Sequence, residues 1–181
     1  MKLTKIKLIN WHLFTDNEIN VNGNLLITGD NGNGKSTLID AIFYMLSGGD
    51  EKNFNVAANV AGDSRSSRRT LASYMRGKLG SEGKEYLRND ATVITHIALE
   101  FYDEYEREYN VLGCVLAIEN SSKPKEKFYI ARKCATKDLK FIEGDGNILN
   151  FNTFKNVNSA AEITQLPETN VSRRIRIAQF M

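Results

Sequence analysis

The sequence predicts an α/β domain in which antiparallel strands pack beside one strongly apolar helix. A glycine-rich loop at 29–37 lies between a short apolar run and that helix. After about residue 90, apolar and polar residues alternate with a period of two, which indicates strands. The chain has 181 residues, of which 41% are hydrophobic and 25% charged, the balance of a globular protein with its own core. We therefore expect a mixed sheet whose antiparallel β-subdomain packs beside the helix.

The N-terminal third alternates between strands and turns. Residues 3–9 alternate in polarity and predict a strand with one solvated face, and 18–21 predict a second strand of a hairpin or meander. A turn is expected at 22–24. Residues 25–28 are a continuous apolar run, which is typical of a strand buried on both faces.

Residues 35–47 predict a helix that is apolar all round and therefore buried. Gly48 and Gly49 are expected to end it, because glycine readily takes the left-handed conformation found at helix C-termini. The segment of about 50–90 is polar and basic and predicts a surface insertion, with a helix around 67–79.

Antiparallel strands are expected over about 91–142, because consecutive period-two segments are joined by short turns. The segments are 91–102, 108–118, 127–133 and a weaker fourth at 139–142. The tail at 150–181 is ambiguous, although 171–180 has the pattern of a basic amphipathic helix.

Composition and targeting signals restrict the cellular setting. The chain has no apolar run of the roughly 18 residues needed to span a membrane, and its first residues lack a signal-peptide core. Its two cysteines, Cys114 and Cys134, have no metal-like spacing, which favours a reducing compartment. We therefore expect a cytoplasmic protein with no membrane partner.

The loop itself has the Walker A pattern, in which Gly29 is followed after four residues by Gly34-Lys35-Ser36. Glycines let the backbone amides point at a phosphate, and the following helix directs its positive dipole end to the same place. Lys35 is the expected catalytic cation and the Ser36 hydroxyl the expected Mg²⁺ ligand, so ATP and Mg²⁺ are the predicted cofactors. The predicted nucleotide-binding residues are Asp30, Asn31, Gly32, Asn33, Gly34, Lys35, Ser36 and Thr37.

Hydrolysis also needs a second carboxylate for the metal and the attacking water. The apolar run at 115–118 that ends in Glu119 resembles a Walker B strand but lacks the preceding Asp. The sequence at 46–49 resembles the signature motif of ATP-binding-cassette proteins, but its position favours a helix cap, and 103–104 favours a hairpin turn. The sequence therefore predicts half of an ATPase site, whose enzymatic activity depends on a completing lobe.

Two stretches resemble a known family. Residues 8–14 and 25–42 resemble the N-terminal head segment of the SMC and SbcC type of ATPase, which opens with an aromatic turn and ends its phosphate loop in GKS followed by Asp-Ala-Ile. Residues 54–80 and 95–101 are similar to the MukB-like branch, and in particular to the JetC-type, SMC-like ATPases of Wadjet plasmid-defence systems. The resemblance implies an ABC/SMC-type P-loop NTPase head, of which 1–181 would be the N-terminal lobe.

The resemblance also implies partners. The signature and Walker B motifs would lie in a C-terminal head lobe of the same protein, so the chain is expected to be part of something longer. A second copy of the head would sandwich the ATP molecules, and kleisin and accessory subunits would complete a motor on double-stranded DNA. Such motors act in DNA loop extrusion, plasmid restriction or chromosome organisation.

Family position also assigns roles outside the loop. His12 occupies a place where many relatives carry an arginine that touches the phosphates, which makes it a candidate nucleotide contact. Between residues 63 and 88 there are seven basic and three acidic side chains, and clustered cations suit contact with a DNA backbone. The predicted DNA-binding residues are Arg65, Arg68, Arg69, Arg76 and Lys78.

Three other functions remain as alternatives. One is a non-catalytic DNA-binding scaffold module with a structural P-loop, and another is an SbcC/RecF-type DNA-repair ATPase head. A transporter-type nucleotide-binding subunit is disfavoured, since it would show a signature motif, Walker B and a switch histidine within about this length.

Overall fold

A computed structural model of the chain describes residues 1–51, 54, 69–79, 85–120 and 123–181. Within this part, six strands form one sheet in the order β2-β1-β3-β4-β5-β6, and every neighbouring pair is antiparallel. The strands are β1 (Lys2–Trp11), β2 (Phe14–Asn20), β3 (Thr92–Asp103), β4 (Glu108–Glu119), β5 (Lys125–Arg132) and β6 (Glu162–Gln165). The helices are α1 (Lys35–Leu46), α2 (Leu71–Arg76), α3 (Phe151–Val157) and α4 (Asn170–Phe180), with a short 3₁₀ turn at Thr136–Asp138.

The alternating N-terminal segment forms the predicted hairpin. β1 pairs with β2 up to Trp11 and Phe14, so the turn between them consists of His12 and Leu13. On its other edge β1 pairs with β3, from Lys2 opposite Tyr102 to Ile9 opposite His96. The hairpin turn is thus held at one end of the sheet, which matters because His12 lines the site described below.

The sheet has a core on each face, because its strands alternate in the side on which they place apolar residues. Helices α1, α2 and α4 cover one face, around the fully buried Trp11, Tyr44 and Tyr74. Helix α3 and the segment 134–150 cover the other, around Phe154 and Tyr129. The predicted basic amphipathic helix near the C-terminus is therefore confirmed as α4, and the predicted helix near 67–79 is confirmed as the shorter α2.

Helix α1 ends as expected. Ser47 is the C-cap, and Gly48 and Gly49 have φ of 71° and 94°. Their amides donate to the carbonyls of Met45 (3.2 Å) and Tyr44 (2.8 Å), which satisfies the last turn of the helix. The sequence at 46–49 is thus a helix cap. On α4, buried Arg173 donates to the Gly48 carbonyl at 3.1 Å, which ties α4 to this end of α1.

The prediction of a buried strand at 25–28 is wrong. These residues are not in a strand, and Leu26 is 85% exposed. A strand needs a neighbour for its backbone amides and carbonyls, and the segment joins neither edge of the described sheet. The prediction of a mixed sheet is also wrong, because all strand pairings among the described residues are antiparallel.

Two further expectations are corrected. Helix α1 is buried on one face only, since the side chains of Ile39, Phe43 and Leu46 are 40%, 53% and 39% exposed. The weak fourth strand at 139–142 is wrong, since the segment makes a single bridge between Ile142 and Ile148. The partner of β5 is instead β6, from the tail. Among the described residues, no helix has the length and apolarity to cross a membrane. The domain bounds at 1–181 stay a prediction.

Candidate phosphate-binding site

The loop at 29–37 bends sharply into helix α1 through glycines. Gly32 has φ of 93° and Gly34, the N-cap of α1, has φ of 84°, a region that disfavours other residues. A Cβ added at Gly34 would lie 3.3 Å from the ring of Phe14. Both the conformation and the space therefore require glycine where the loop meets the helix.

The N-terminus of α1 is not capped by a side chain of the described residues. Its first internal hydrogen bond runs from the Leu38 amide to the Gly34 carbonyl at 2.9 Å, so the amides before Leu38 have no intrahelical acceptor. Such amides, together with the positive end of the helix dipole, form an anion-binding site.

Lys35 folds back on the loop. Its ammonium donates to the carbonyls of Gly29 at 2.5 Å and Asp30 at 2.8 Å, and both hydrogen bonds are open to solvent although the residue is half-buried. These are neutral acceptors, so a phosphate would offer the same ammonium stronger, charge-assisted hydrogen bonds. The lysine is thus held at the loop by contacts that an anion can replace.

A cavity of about 140 Å³ opens over the loop. It is lined by loop residues from Asn31 to Thr37, by His12 and Leu13 of the hairpin turn, and by Arg69. Complete small-molecule sites have volumes of about 300–1,000 Å³, so this one fits phosphate groups rather than a whole nucleotide. Of the predicted loop residues, Asp30 and Asn33 do not line it, and the Asp30 carbonyl accepts from Lys35 and from the Asn33 amide.

His12 is buried and sits in the left-handed region with φ of 49°. Its amide donates to the Tyr74 carbonyl at 2.7 Å, which joins the hairpin turn to α2. Burial, Arg69 and Arg88 together lower the pKa of the imidazole to about 4, against a smaller opposite effect of a hydrogen bond to the Lys78 backbone. His12 is therefore neutral near pH 7 and does not supply the charge of the arginine that its position suggested.

Arg88 fixes the position of the β1–β2 hairpin turn through hydrogen bonds from its guanidinium. Its guanidinium donates to the Asn10 side chain at 2.7 Å and to the carbonyls of His12 (2.9 Å), Met75 (3.3 Å) and Phe14 (3.2 Å). Only 8% of the residue is exposed, and burial lowers the pKa of the guanidinium. Nothing in the local sequence pattern signals this role, since the four acceptors are far from Arg88 along the chain.

Aromatic residues connect the first turn of α1 to α2. The Trp11 indole donates to the Thr37 carbonyl at 2.9 Å and stacks on Tyr74 with ring centroids 4.6 Å apart. The Tyr74 hydroxyl donates to buried Asp40 on α1. Asp40, whose position supported the family resemblance, is thus part of the contact between the two helices rather than of the pocket lining.

The structure separates the residues predicted to bind DNA. Arg65 and Arg68 lie outside the described residues. Arg69 lines the cavity over the glycine loop, where it donates to the Thr37 hydroxyl at 3.4 Å. Arg76 donates to three backbone carbonyls, those of Arg88, Asp90 and Asn120, and Lys78 is half-buried and bridges to Tyr86. DNA contact by these residues stays a prediction. The contact between Arg69 and Thr37 could not be predicted from the charge of Arg69.

The two candidates for the second carboxylate that hydrolysis needs do not line the pocket over the loop. Glu119 ends β4 at an exposed position, 3.4 Å from Lys125, and does not line the pocket. Asp103 begins the β3–β4 turn and accepts from the amides of Tyr105 and Glu106, as predicted. The residues that the structure describes contain no group of three or more histidine, cysteine or acidic side chains placed to hold a metal. The Ser36 hydroxyl, which lines the pocket, is the predicted Mg²⁺ ligand.

Comparison with known families agrees with this geometry. Residues 3–61 match the family model described as the P-loop containing region of AAA domain. The match spans the hairpin, the glycine loop and α1, and it supports a P-loop NTPase that binds a nucleotide. A search of curated proteins finds no match to the chain.

Proposed function

We propose that this chain is the ATP-binding, Walker A half of an SMC-like ATPase head. The observation that carries the proposal is the pocket itself. It brings the uncapped N-terminus of α1 together with Lys35, Ser36 and Arg69, a combination of amides and cations that suits the phosphates of a nucleoside triphosphate.

Each pocket residue has a distinct chemical task in this proposal. The loop amides and the helix dipole hold phosphate oxygens, and Lys35 leaves its carbonyl acceptors to reach the terminal phosphates. The Ser36 hydroxyl fits a hard cation such as Mg²⁺, which would neutralise charge between two phosphates when it is bound. Arg69, held at Thr37, adds a second cation to the pocket lining.

A completing lobe is supported by the apolar surface beside the loop. Exposed Leu25 and Leu26 precede the loop, and exposed Ile39, Phe43 and Leu46 lie on the outer face of α1. Apolar surface beside a segment that joins no described strand suits a layer of strands that pairs with 25–28 and packs on α1. We assign this face to the C-terminal head lobe that would bring the signature motif and Walker B.

The wider role follows from the resemblance. In the proposed head, two copies close on ATP, kleisin and accessory subunits bind outside the pocket, and double-stranded DNA is the substrate of loop extrusion or plasmid restriction. Arg65, Arg68 and Lys78 are the cations left for DNA once Arg69 and Arg76 are engaged at the pocket and at backbone carbonyls.

Calorimetric titration with Mg²⁺–ATP tests the binding proposal. Lys35→Ala is expected to weaken binding about hundredfold, because it removes a charge-assisted contact to the phosphates. Lys155→Ala, which removes an exposed lysine of α3, is the matched control and is expected to bind like wild type. Equal affinities of wild type and Lys35→Ala would contradict the assignment of the loop.

A salt titration of DNA binding by wild type and Lys35→Ala separates the proposal from the scaffold alternative. A DNA-binding scaffold with a structural P-loop would bind DNA strongly without ATP, in a salt-dependent manner that Lys35→Ala leaves unchanged. The proposed half-site is also expected to show negligible turnover alone. Robust hydrolysis that Glu119→Gln abolishes would identify Glu119 as a Walker B residue and contradict the composite site.

A further inference from the structure

A groove lies at the other end of the strand order from the hairpin turn that borders the glycine loop. It has a volume of about 610 Å³ and is bordered by β5, by β6 with the link 165–168, and by the C-terminal half of α4. Its apolar floor consists of the buried residues Ile130, Leu166 and Phe180, and the Arg132 guanidinium carbon lies 5.7 Å from the centre of the Phe180 ring. Grooves of this size can enclose the side chains of a ligand or partner.

Two arginines give the groove its charge. Arg132 of β5 and Arg176 of α4 are both exposed, and neither forms an ion pair with a carboxylate of the described residues. Arg176 donates one hydrogen bond to the Gln179 side chain at 3.3 Å. Among the described residues that line the groove, Glu168 is the one acid, and it is paired with Lys127 at 3.0 Å. A guanidinium has five donors and can bind a carboxylate through two parallel hydrogen bonds, so the groove suits an acidic group.

The outer edge of β6 is placed to accept a further strand. In the described sheet, β6 pairs with β5 alone. The Leu166 amide donates to the Phe128 carbonyl at 2.8 Å, and hydrogen-bonded pairs alternate along an antiparallel ladder. The amide and carbonyl of Thr164 therefore point to β5, whereas the backbone of Gln165 and the Ile163 carbonyl point to the outer edge.

The two faces of β6 determine which side chains an added strand must carry. Directly opposed residues of neighbouring strands place their side chains on the same face of a sheet. Thr164 lines the groove together with its partner Ile130, whereas Ile163 packs against the core on the other face. An added strand would therefore alternate between side chains that face the two arginines and side chains that lie beside Ile163. Acidic residues suit the first position and apolar residues the second.

We propose that β6 and this groove bind an extended, acidic segment of a partner protein as an added strand. Carboxylates at alternate positions of the segment meet Arg132 and Arg176, and the apolar side chains between them cover Ile163. The apolar floor and the available strand edge favour a peptide over DNA, because protein–DNA interfaces are more polar and more strongly positive. The groove shares no lining residue with the pocket over the glycine loop, so this inference does not depend on the proposed function.

Fluorescence polarisation with two labelled octapeptides tests the proposal, one alternating glutamate with valine and the other alternating lysine with valine. The glutamate peptide is expected to bind with a Kd below about 100 μM and the lysine peptide at least about tenfold more weakly, because the arginines repel it. Arg132→Gln and Arg176→Gln are each expected to weaken binding of the glutamate peptide about threefold, and the double variant about tenfold, as for ion pairs at exposed sites. Arg174→Gln, which removes an exposed cation of α4 outside the groove lining, is the matched control and is expected to bind like wild type.

A glutamate peptide methylated at every backbone nitrogen tests the added strand itself. It keeps the carboxylates but cannot donate to the carbonyls of β6, so its binding is expected to be lost. Equal binding of the glutamate and lysine peptides by wild type would overturn the proposal, and that comparison requires no substitution in the protein. Methylated and unmodified peptides that bind alike would overturn it as well.

Two other occupants of the groove are distinguished by the same assay. Duplex DNA that displaces the peptide, and that binds the double variant more weakly than wild type, would identify the groove as a DNA contact. A dimer of the chain that the peptide dissociates, measured by sedimentation, would assign the groove to a second copy. Either result would contradict an acidic partner segment.

Discussion

Arg88→Ala is expected to lower the free energy of unfolding by about 4 kcal/mol, because it leaves several buried acceptors without a donor at once. The guanidinium bonds the Asn10 side chain and the carbonyls of His12, Met75 and Phe14. These groups belong to the β1–β2 hairpin and to α2. The variant is also expected to weaken Mg²⁺–ATP binding, since the turn carries one wall of the pocket.

Urea unfolding followed by Trp11 fluorescence measures this effect, because Trp11 is the single tryptophan and is fully buried. Arg88→Lys keeps the charge but not the fork of donors, so an intermediate loss is expected. Arg174→Ala, at an exposed position of α4, is the control and is expected to change stability by less than about 0.5 kcal/mol. A loss below about 1 kcal/mol in Arg88→Ala would contradict the structural role described for Arg88.

Acidification is expected to destabilise the fold through its buried histidines. His96 is fully buried, its Nε2 lies 2.7 Å from the Leu149 carbonyl, and burial lowers the pKa of the ring from 6.5 to about 4. The unfolded chain takes up a proton below pH 6.5, whereas the folded chain resists it until about pH 4. Stability is thus full above pH 6.5 and is lost as the pH falls towards 4, by about 3 kcal/mol for this residue. His12 acts in the same direction.

His96→Gln isolates the contribution of that residue. Glutamine retains an amide donor for the Leu149 carbonyl but does not titrate, so the variant should lose about 3 kcal/mol less than wild type between pH 7 and pH 4. Urea unfolding at both pH values gives the comparison, and carboxylate titration is common to both chains. Equal losses would show that His96 is not held neutral by burial.

Local patterns predicted the parts of the fold that depend on neighbouring residues. Period-two alternation identified the β1–β2 hairpin and β3 to β5, and the glycine pair at 48 and 49 identified the end of α1. The Walker A spacing pointed to the loop that lines the candidate pocket, because the amides, Lys35 and Ser36 are contiguous in the chain.

The predictions failed where burial depends on distant surfaces. Residues 25–28 are apolar enough for a buried strand, but no described strand lies beside them to accept their hydrogen bonds. The outer face of α1 is likewise apolar, but it is exposed among the described residues. β6 was missed because Glu162–Gln165 has only four residues, three of them polar, and it is a strand only by pairing with β5.

The pocket was only partly predictable for a related reason. Arg69 and Arg88 were recognised as charges, but their acceptors lie on the hairpin turn and on α1, which the fold alone brings close. The environment of His12 is likewise tertiary, so its neutral state could not be read from the residue type.

Hydrogen–deuterium exchange with and without Mg²⁺–ATP tests most directly whether the loop is the nucleotide site. Binding is expected to slow exchange of the amides of residues 30–37 and of the adjoining turn at 12–14, because phosphate oxygens would occupy loop amides, including those of 35–37, which have no intrahelical acceptor. The β4–β5 pair, which is already hydrogen-bonded within the sheet, should be unaffected. Unchanged exchange at 30–37 under saturating nucleotide would contradict the proposal that this loop binds the phosphates.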